Sequence, residues 1–277
     1  MTPPPGTLPP QLQAMTRSAV TLVKDPAERA ELLPVTNQIA EAVFARWLSA
    51  RTPEDNRREH EFVVLGAALR IAEAEQLPPA GKLVVVCVTF LHDTYPIQRI
   101  TERMIRDARR SDPELARTLS VKKERQRTEH MLGGAANADR LLRELGHPER
   151  PGEPIVSREV RHRTVAIIAG HDKWKLGEAH PPAADREALV CFEADALWPL
   201  HPLGVLADLE RPGEAGALKD LNDPTEWRRQ IRNNLQTLTE YRANWCDSEE
   251  EFQDLKSIFR TREGHRLYRE WAGMWGL

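Results

Sequence analysis

Two runs in this chain are apolar almost without interruption, and both end in a histidine. They are KLVVVCVTFLHD, closing at His92-Asp93, and TVAIIAGHD, closing at His171-Asp172. Segments this apolar belong in the interior, and burying a charge-bearing group at their ends is costly unless it is paired or binds a metal. Any fold for this chain must therefore bring these ends to partners. Periodicity does not decide what the runs are. Their β-branched residues suit a buried strand, and their length equally suits a helix buried on all sides.

Elsewhere the pattern is helical. LPVTNQIAEAVFARWLSA places Ile39, Val43, Trp47 and Leu48 on one face. Asp55 precedes a helix in NRREHEFVVLGAALRIAEAEQ, which stops before Pro78-Pro79. Residues 97–110 and 124–145 read as polar-faced helices, the second capped at Gly146 with Pro148 beyond. Helical patterns resume at 185–198, 225–245 and 249–275. Residues 1–12 hold five prolines and one glycine, so a flexible tail is expected over 1–24. A break is expected in RPGEAGALKDLNDP, dividing a core at 25–210 from a C-terminal helical lobe at 211–277.

A formal net charge of -3 does not favour nucleic acid. No run reaches the ~20 apolar residues of a membrane-spanning helix. The N-terminus lacks the basic and apolar regions of a secretory signal. The cysteines Cys87, Cys191 and Cys246 are far apart and form no CxxC pair. This points to reduced thiols in a cytoplasmic protein. No glycine-rich phosphate loop is present, which excludes only a P-loop mechanism.

Of nine histidines, four stand out by context. From His60, Val64, Ala67 and Ile71 follow at +4, +7 and +11, placing it on an apolar helix face. His92 and His171 close the apolar runs. His130 sits on a helix whose inward side carries Ala135, Ala138, Leu141 and Leu142. Asp195 lies amid apolar residues in ALVCFEADALWPL. Imidazoles and carboxylates at core-facing positions satisfy one another only by converging. A shared divalent cation is the simplest partner, and separate His-Asp hydrogen bonds are the alternative. Lys175 stands four residues beyond His171, on the same side if a helix continues through both. There it would hold an anionic group as a point charge or be a solvated helix-end lysine. Asp172 is placed to orient a ligand from behind. The basic run KKERQR at 122–127 is a solvated face or an attractor of anionic substrate. The tryptophans Trp227, Trp245, Trp271 and Trp275 are read as packing of the C-terminal lobe.

The order His60, His92-Asp93 in FLHDT, His130, His171 and Asp195 in FEADAL resembles the HD-domain superfamily of metal-dependent phosphohydrolases. The flanks EHEFVVLGAALRIAEAE, TEHMLGGAANADRLLRELG and AADREALVCFEADAL are similar to that family's ligand-bearing stretches. The resemblance spans roughly 35–275. It implies an all-α helical bundle with a C-terminal helical extension, so that both ambiguous runs are helices. It also implies that His60, His92, Asp93 and Asp195 hold a first divalent metal ion. Asp93 would bridge to a second held by His130 and His171, the ions being Fe, Mn, Mg, Ni or Co. Asp93 and Lys175 are the expected catalytic residues. The implied activity is hydrolysis of a small anionic phosphoester, a nucleotide or a related compound. A homodimer is an allowed assembly. An oxygenase branch of the same superfamily holds a mixed-valent di-iron pair with a matching ligand order and is the alternative. The chain departs from the family pattern at Glu193, at Leu197-Trp198 and at Thr94-Tyr95-Pro96. These departures bear on substrate class more than on metal binding.

Overall fold

The structure is a computed structural model that describes residues 7–51, 57–95, 100, 102–176, 181, 184–211, 219–241 and 259–276. Among these residues the fold is all-α, with eleven α-helices and no strand. They are α1 (Pro10–Val20), α2 (Pro26–Arg46), α3 (His60–Ala74), α4 (Pro79–Leu91), α5 (Glu102–Ser111) and α6 (Pro113–Glu144). The order continues with α7 (Arg158–Ile168), α8 (Arg186–Leu197), α9 (Pro202–Glu210), α10 (Pro224–Tyr241) and α11 (Arg262–Gly273).

Both ambiguous runs are helical. The first is α4, and its apolarity on every side has a direct cause: it packs against α2, α3, α6, α7 and α8 at once. From Val84 to Leu91 every residue is buried, and a helix surrounded by helices has no face to keep polar. Fully burying a Val, Leu or Phe contributes about 1.5–3 kcal/mol, so α4 is the organising element of the core. Phe90 meets Phe62 of α3 edge-on, with ring centroids 5.3 Å apart.

Local chemistry sets the helix boundaries. Asp25, Asp112, Ser157, Asp185 and Thr261 each accept a backbone N–H of the first turn of α2, α6, α7, α8 and α11. Proline opens α1, α2, α4, α6 and α9, where its missing N–H costs nothing.

Four sequence expectations need correction. Residues 8–24 are not a flexible tail. Helix α1 buries Leu12, Thr16, Ala19 and Val20, spaced to one face, and packs on α3; its proline-rich start masks that spacing. Residues 1–6 lie outside the described residues. A division at 211 does not separate the core either. Phe259 and Leu267 join the main hydrophobic cluster, and α11 packs on α3 and α8. Helix α6 begins at Pro113, well before 124, because Asp112 and Pro113 supply a start that the polar stretch after them conceals. Its end is not a left-handed glycine cap. Leu145 is already extended, and Gly146 pairs instead with Pro154 in an isolated bridge. The chain from 249 to 258, with Trp245 and Cys246, lies outside the described residues. Cys87 and Cys191 are buried free thiols. No single described helix is long and apolar enough to cross a membrane.

Candidate metal centre

Five elements deliver six side chains to one place. His60 is the first residue of α3, and His92 follows the last residue of α4, with Asp93 next to it. His130 stands in the middle of α6. His171 comes from the turn after α7, and Asp195 from the last turn of α8. His60, His92 and His130 are buried, and His171 nearly so.

A glycine makes the approach of α6 possible. A Cβ on Gly134 would stand 2.8 Å from the main-chain oxygen of His92. Gly134 is one turn from His130 on the same helix face. The missing side chain thus lets α6 lie against the end of α4 and brings His130 up to Asp93.

Asp93 is the hub. His130 Nε2 is 3.1 Å from its Oδ1, with His92 Nε2 at 3.7 Å and His171 Nε2 at 4.0 Å. His60 Nδ1 is 3.7 Å from its other oxygen, Oδ2. Asp195 Oδ1 lies 2.9 Å from His60 Nε2 and 3.5 Å from His92 Nε2. Two triads have donor atoms within 4.8 Å of one another: His60, His92 and Asp93, and Asp93, His130 and His171. Asp93 belongs to both.

The orientation of three imidazoles is set by main chain. His92 Nδ1 faces the carbonyl of Thr89 at 3.0 Å, His130 Nδ1 that of Tyr95 at 2.7 Å, and His171 Nδ1 that of Ile168 at 2.7 Å. A carbonyl only accepts, so each Nδ1 carries the proton and donates it. In the neutral ring each Nε2 then carries the lone pair and points inward, as a metal-ligating histidine does. Buried polar atoms normally find a hydrogen-bond partner. Yet His60 Nδ1, His92 Nε2 and His171 Nε2 have none. Imidazole nitrogens without a hydrogen-bond partner stand around a carboxylate, and this set of His and Asp groups fits a metal ion.

The electrostatics agree. Burial would raise the Asp93 carboxyl, but the neighbouring imidazoles, His92 foremost, hold it well below the usual carboxylate range. Burial and the imidazoles His60 and His92 act on Asp195 in the same way. Burial disfavours a charged His92, and Asp93 and Asp195 overcome it, pushing the group up to about 10. His60 and His130 are also raised against burial by Asp195 and Asp93 respectively. His171 goes the other way, lowered to about 4, chiefly by burial. The carboxylates thus favour positive charge in this cluster, in the form of protons or of a cation.

A supporting layer stands behind these six, and most of it escapes a reading of the sequence. Glu61 is fully buried beside His60 and is neutralised by Arg51 Nη1 at 2.5 Å. Arg51 Nη2 also donates to the main-chain oxygen of Asp93 at 2.7 Å. Trp198 presents its edge to His60, with ring centroids 5.0 Å apart. Asp172 is buried and paired: Arg127 Nη1 donates to its Oδ2 at 2.8 Å, tying the His171 turn to α6. Arg127, the last residue of the basic run, is thus half-buried and paired with the turn that carries His171.

One expectation does not carry over. Helix α7 ends at Ile168, and Lys173–Leu176 form a separate 3₁₀ turn. The one-turn relation expected between His171 and Lys175 is therefore broken, and the side chain of Lys175 lies outside the described residues. Glu193, two residues before Asp195, does not face the centre at all. Its Oε1 accepts the backbone N–H of Arg260 at 2.5 Å and of Thr261 at 3.0 Å, and its Oε2 accepts the Thr261 hydroxyl at 2.5 Å. Gly264 has no room for a Cβ against that carboxylate.

No protein-family model matches the chain, and neither a curated protein nor a solved structure matches it.

Proposed function

We propose that this chain is a metal-dependent hydrolase of the HD-domain type, cleaving a small phosphoester with a metal-activated water. The observation that carries the reading is the set of imidazoles at Asp93. Three of them donate through Nδ1 to main-chain carbonyls, and two of those leave a buried, unpartnered Nε2.

His60, His92, Asp93 and Asp195 would hold one divalent cation, and Asp93, His130 and His171 a second. The sharing of Asp93 between the two triads favours the pair. Bound there, the cations would lower the pKa of a coordinated water and offset the charge that develops on the phosphoryl oxygens. The protein's own part is positioning. The carbonyls of Thr89, Tyr95 and Ile168 hold the tautomers, Arg51 compensates Glu61, and Arg127 with Asp172 steadies the turn that carries His171. Trp198 covers His60 and keeps water from its ring.

A second reading draws on the same shared carboxylate. A complete six-ligand set suits the di-iron oxygenase branch as well as the hydrolases, so the metal decides between them. The test is metal content per chain, measured on protein purified without added metal and without oxygen, followed by a phosphomonoester panel. About two ions per chain and release of phosphate are expected. His130→Ala should then retain one ion. Two irons with oxygen consumption and no phosphate release would select the oxygenase. A chain that binds no divalent metal would overturn both readings.

A further inference from the structure

Helix α4 ends at Leu91, and Asp93, the carboxylate common to both triads, stands on the chain beyond it. The last carbonyls of a helix have no intrahelical donor, and those just past it depend on other partners. Three in a row find them on side chains of other elements. Arg51 Nη2 donates to the carbonyl of Asp93 at 2.7 Å, Asn137 Nδ2 to that of Thr94 at 3.1 Å, and His130 Nδ1 to that of Tyr95 at 2.7 Å. Thr94 is buried between them, and its own hydroxyl turns back to the Leu91 carbonyl at 2.9 Å. His130 belongs to the centre itself; Arg51 and Asn137 do not.

These two tethers lead to different triads. The Arg51 guanidinium also reaches Glu61 Oε1 with Nη1 at 2.5 Å, and Glu61 follows His60 at the start of α3. A planar fork serves two partners at once, which the compact ammonium of lysine does not match. Asn137 stands on the His130 face of α6, two turns on. Its partners fix the direction of its amide. Oδ1 accepts from Arg140 Nη2 at 2.9 Å, so Nδ2 is the atom turned to the Thr94 carbonyl.

We infer that Arg51 and Asn137 are positioning residues that hold Asp93 where two cations can share it. Arg51 ties this stretch of chain to the element that carries His60, and Asn137 ties it to the one that carries His130. Asp93 accordingly has Oδ2 at 3.7 Å from His60 Nδ1 and Oδ1 at 3.1 Å from His130 Nε2. With either tether cut, the residue keeps its carboxylate but loses its placement between the two sets of imidazoles. A cation at His60, His92 and Asp195 would retain those groups, and one at His130 and His171 would lose the most. This rests on the two-metal reading proposed above and on neither reaction in particular.

The test is manganese binding to the full chain by equilibrium dialysis, with electron paramagnetic resonance of the bound ions, in wild type, Arg51→Lys and Asn137→Asp. The wild type should bind about two ions and show the exchange-coupled signal of a pair that shares a carboxylate. Each variant should bind the second ion about 10- to 100-fold more weakly, as loss of an outer partner does. The coupled signal should then give way to that of isolated manganese. Charge makes the result diagnostic. Arg51→Lys leaves it unchanged, and Asn137→Asp adds a carboxylate, which by attraction alone would tighten cation binding. If Arg51→Lys does not fold, Asn137→Asp decides, since Asn137 is only half-buried. Variants that keep the coupled pair at wild-type affinity overturn the inference and leave the two-metal reading standing. Equal weakening of both ions also overturns it, by assigning the effect to the fold. A wild type with at most one ion per chain overturns the two-metal reading, and the inference falls with it.

Discussion

Glu193 and Asp195 are carboxylates two residues apart on α8, the first fully buried and the second partly exposed, and they lead opposite lives. Glu193 has every lone-pair direction that matters answered by protein: two main-chain N–H groups and a hydroxyl from the start of α11. Asp195 meets only imidazoles, some of which have unpartnered nitrogens. Histidines divide in the same way. His201 at the start of α9 accepts the N–H of Leu203 at 3.2 Å and lies between the rings of Trp198 and Trp271. His92 and His171 satisfy one nitrogen and expose the other to the cluster. Glu193 and His201 are answered by protein, while nitrogens of His60, His92 and His171 are not, and that difference marks the His–Asp cluster as the candidate site.

The contrast breaks most visibly at Asp93. Asp93→Ala removes the carboxylate common to both triads, and weakening of metal binding by more than about 100-fold is expected, since losing even an outer partner costs 10–100-fold. The far-ultraviolet circular dichroism should stay that of the wild type. A variant that keeps its metal and its activity would show that the cluster is not the site.

Glu193→Ala should do the opposite. It strips three donors of their acceptor in a buried place, and a loss of roughly 3 kcal/mol is expected in urea unfolding, while folded protein keeps its metal. Glu193→Gln should lose about 1–2 kcal/mol, less than Glu193→Ala, because an amide oxygen still accepts both N–H groups while its NH₂ can only donate and leaves the Thr261 hydroxyl proton without its acceptor. Loss of metal in either variant, with the fold intact, would blur the distinction between the two carboxylates.

His201 supplies the mildest test. Burial lowers it to about 4 from an ordinary 6.5. The folded state therefore favours the neutral ring, whose Nδ1 lone pair is committed to Leu203. Stability from this group is complete above pH 6.5 and is lost as pH falls from 6.5 towards 4, by about 2 kcal/mol. Comparing wild type with His201→Asn across that window isolates it. The asparagine side-chain oxygen preserves the cap, and equal acid sensitivity in both would assign the loss elsewhere.

The six residues of the centre were legible because each histidine or aspartate sat where an apolar pattern should have continued. Their order along the chain then made a resemblance that residues taken singly could not. The helical state of Lys82–Leu91 was not legible from periodicity. A helix packed on all sides and a buried strand write the same run of Val and Leu, and only the neighbours α3, α7 and α8 distinguish them. Glu193 was visible only as a departure from a family pattern. Its job depends on Thr261, 68 residues away, and no local spacing reports such a pairing. Helix α1 was hidden by prolines that open a helix as readily as they mark a loop. Arg51 and Glu61 read as ordinary charges until the fold placed them against His60 and the carbonyl of Asp93.

Helices α4 and α7 both finish at the cluster, and each hands over to a ligand within three residues, His92 after Leu91 and His171 after Ile168. The final carbonyls of a helix carry the negative pole of its macrodipole, equivalent to about half a charge. Two such poles meet around Asp93. Part of the attraction for a cation therefore resides in main chain, where substitution cannot reach it. A cation held there would feel that main-chain field whichever side chains surround it.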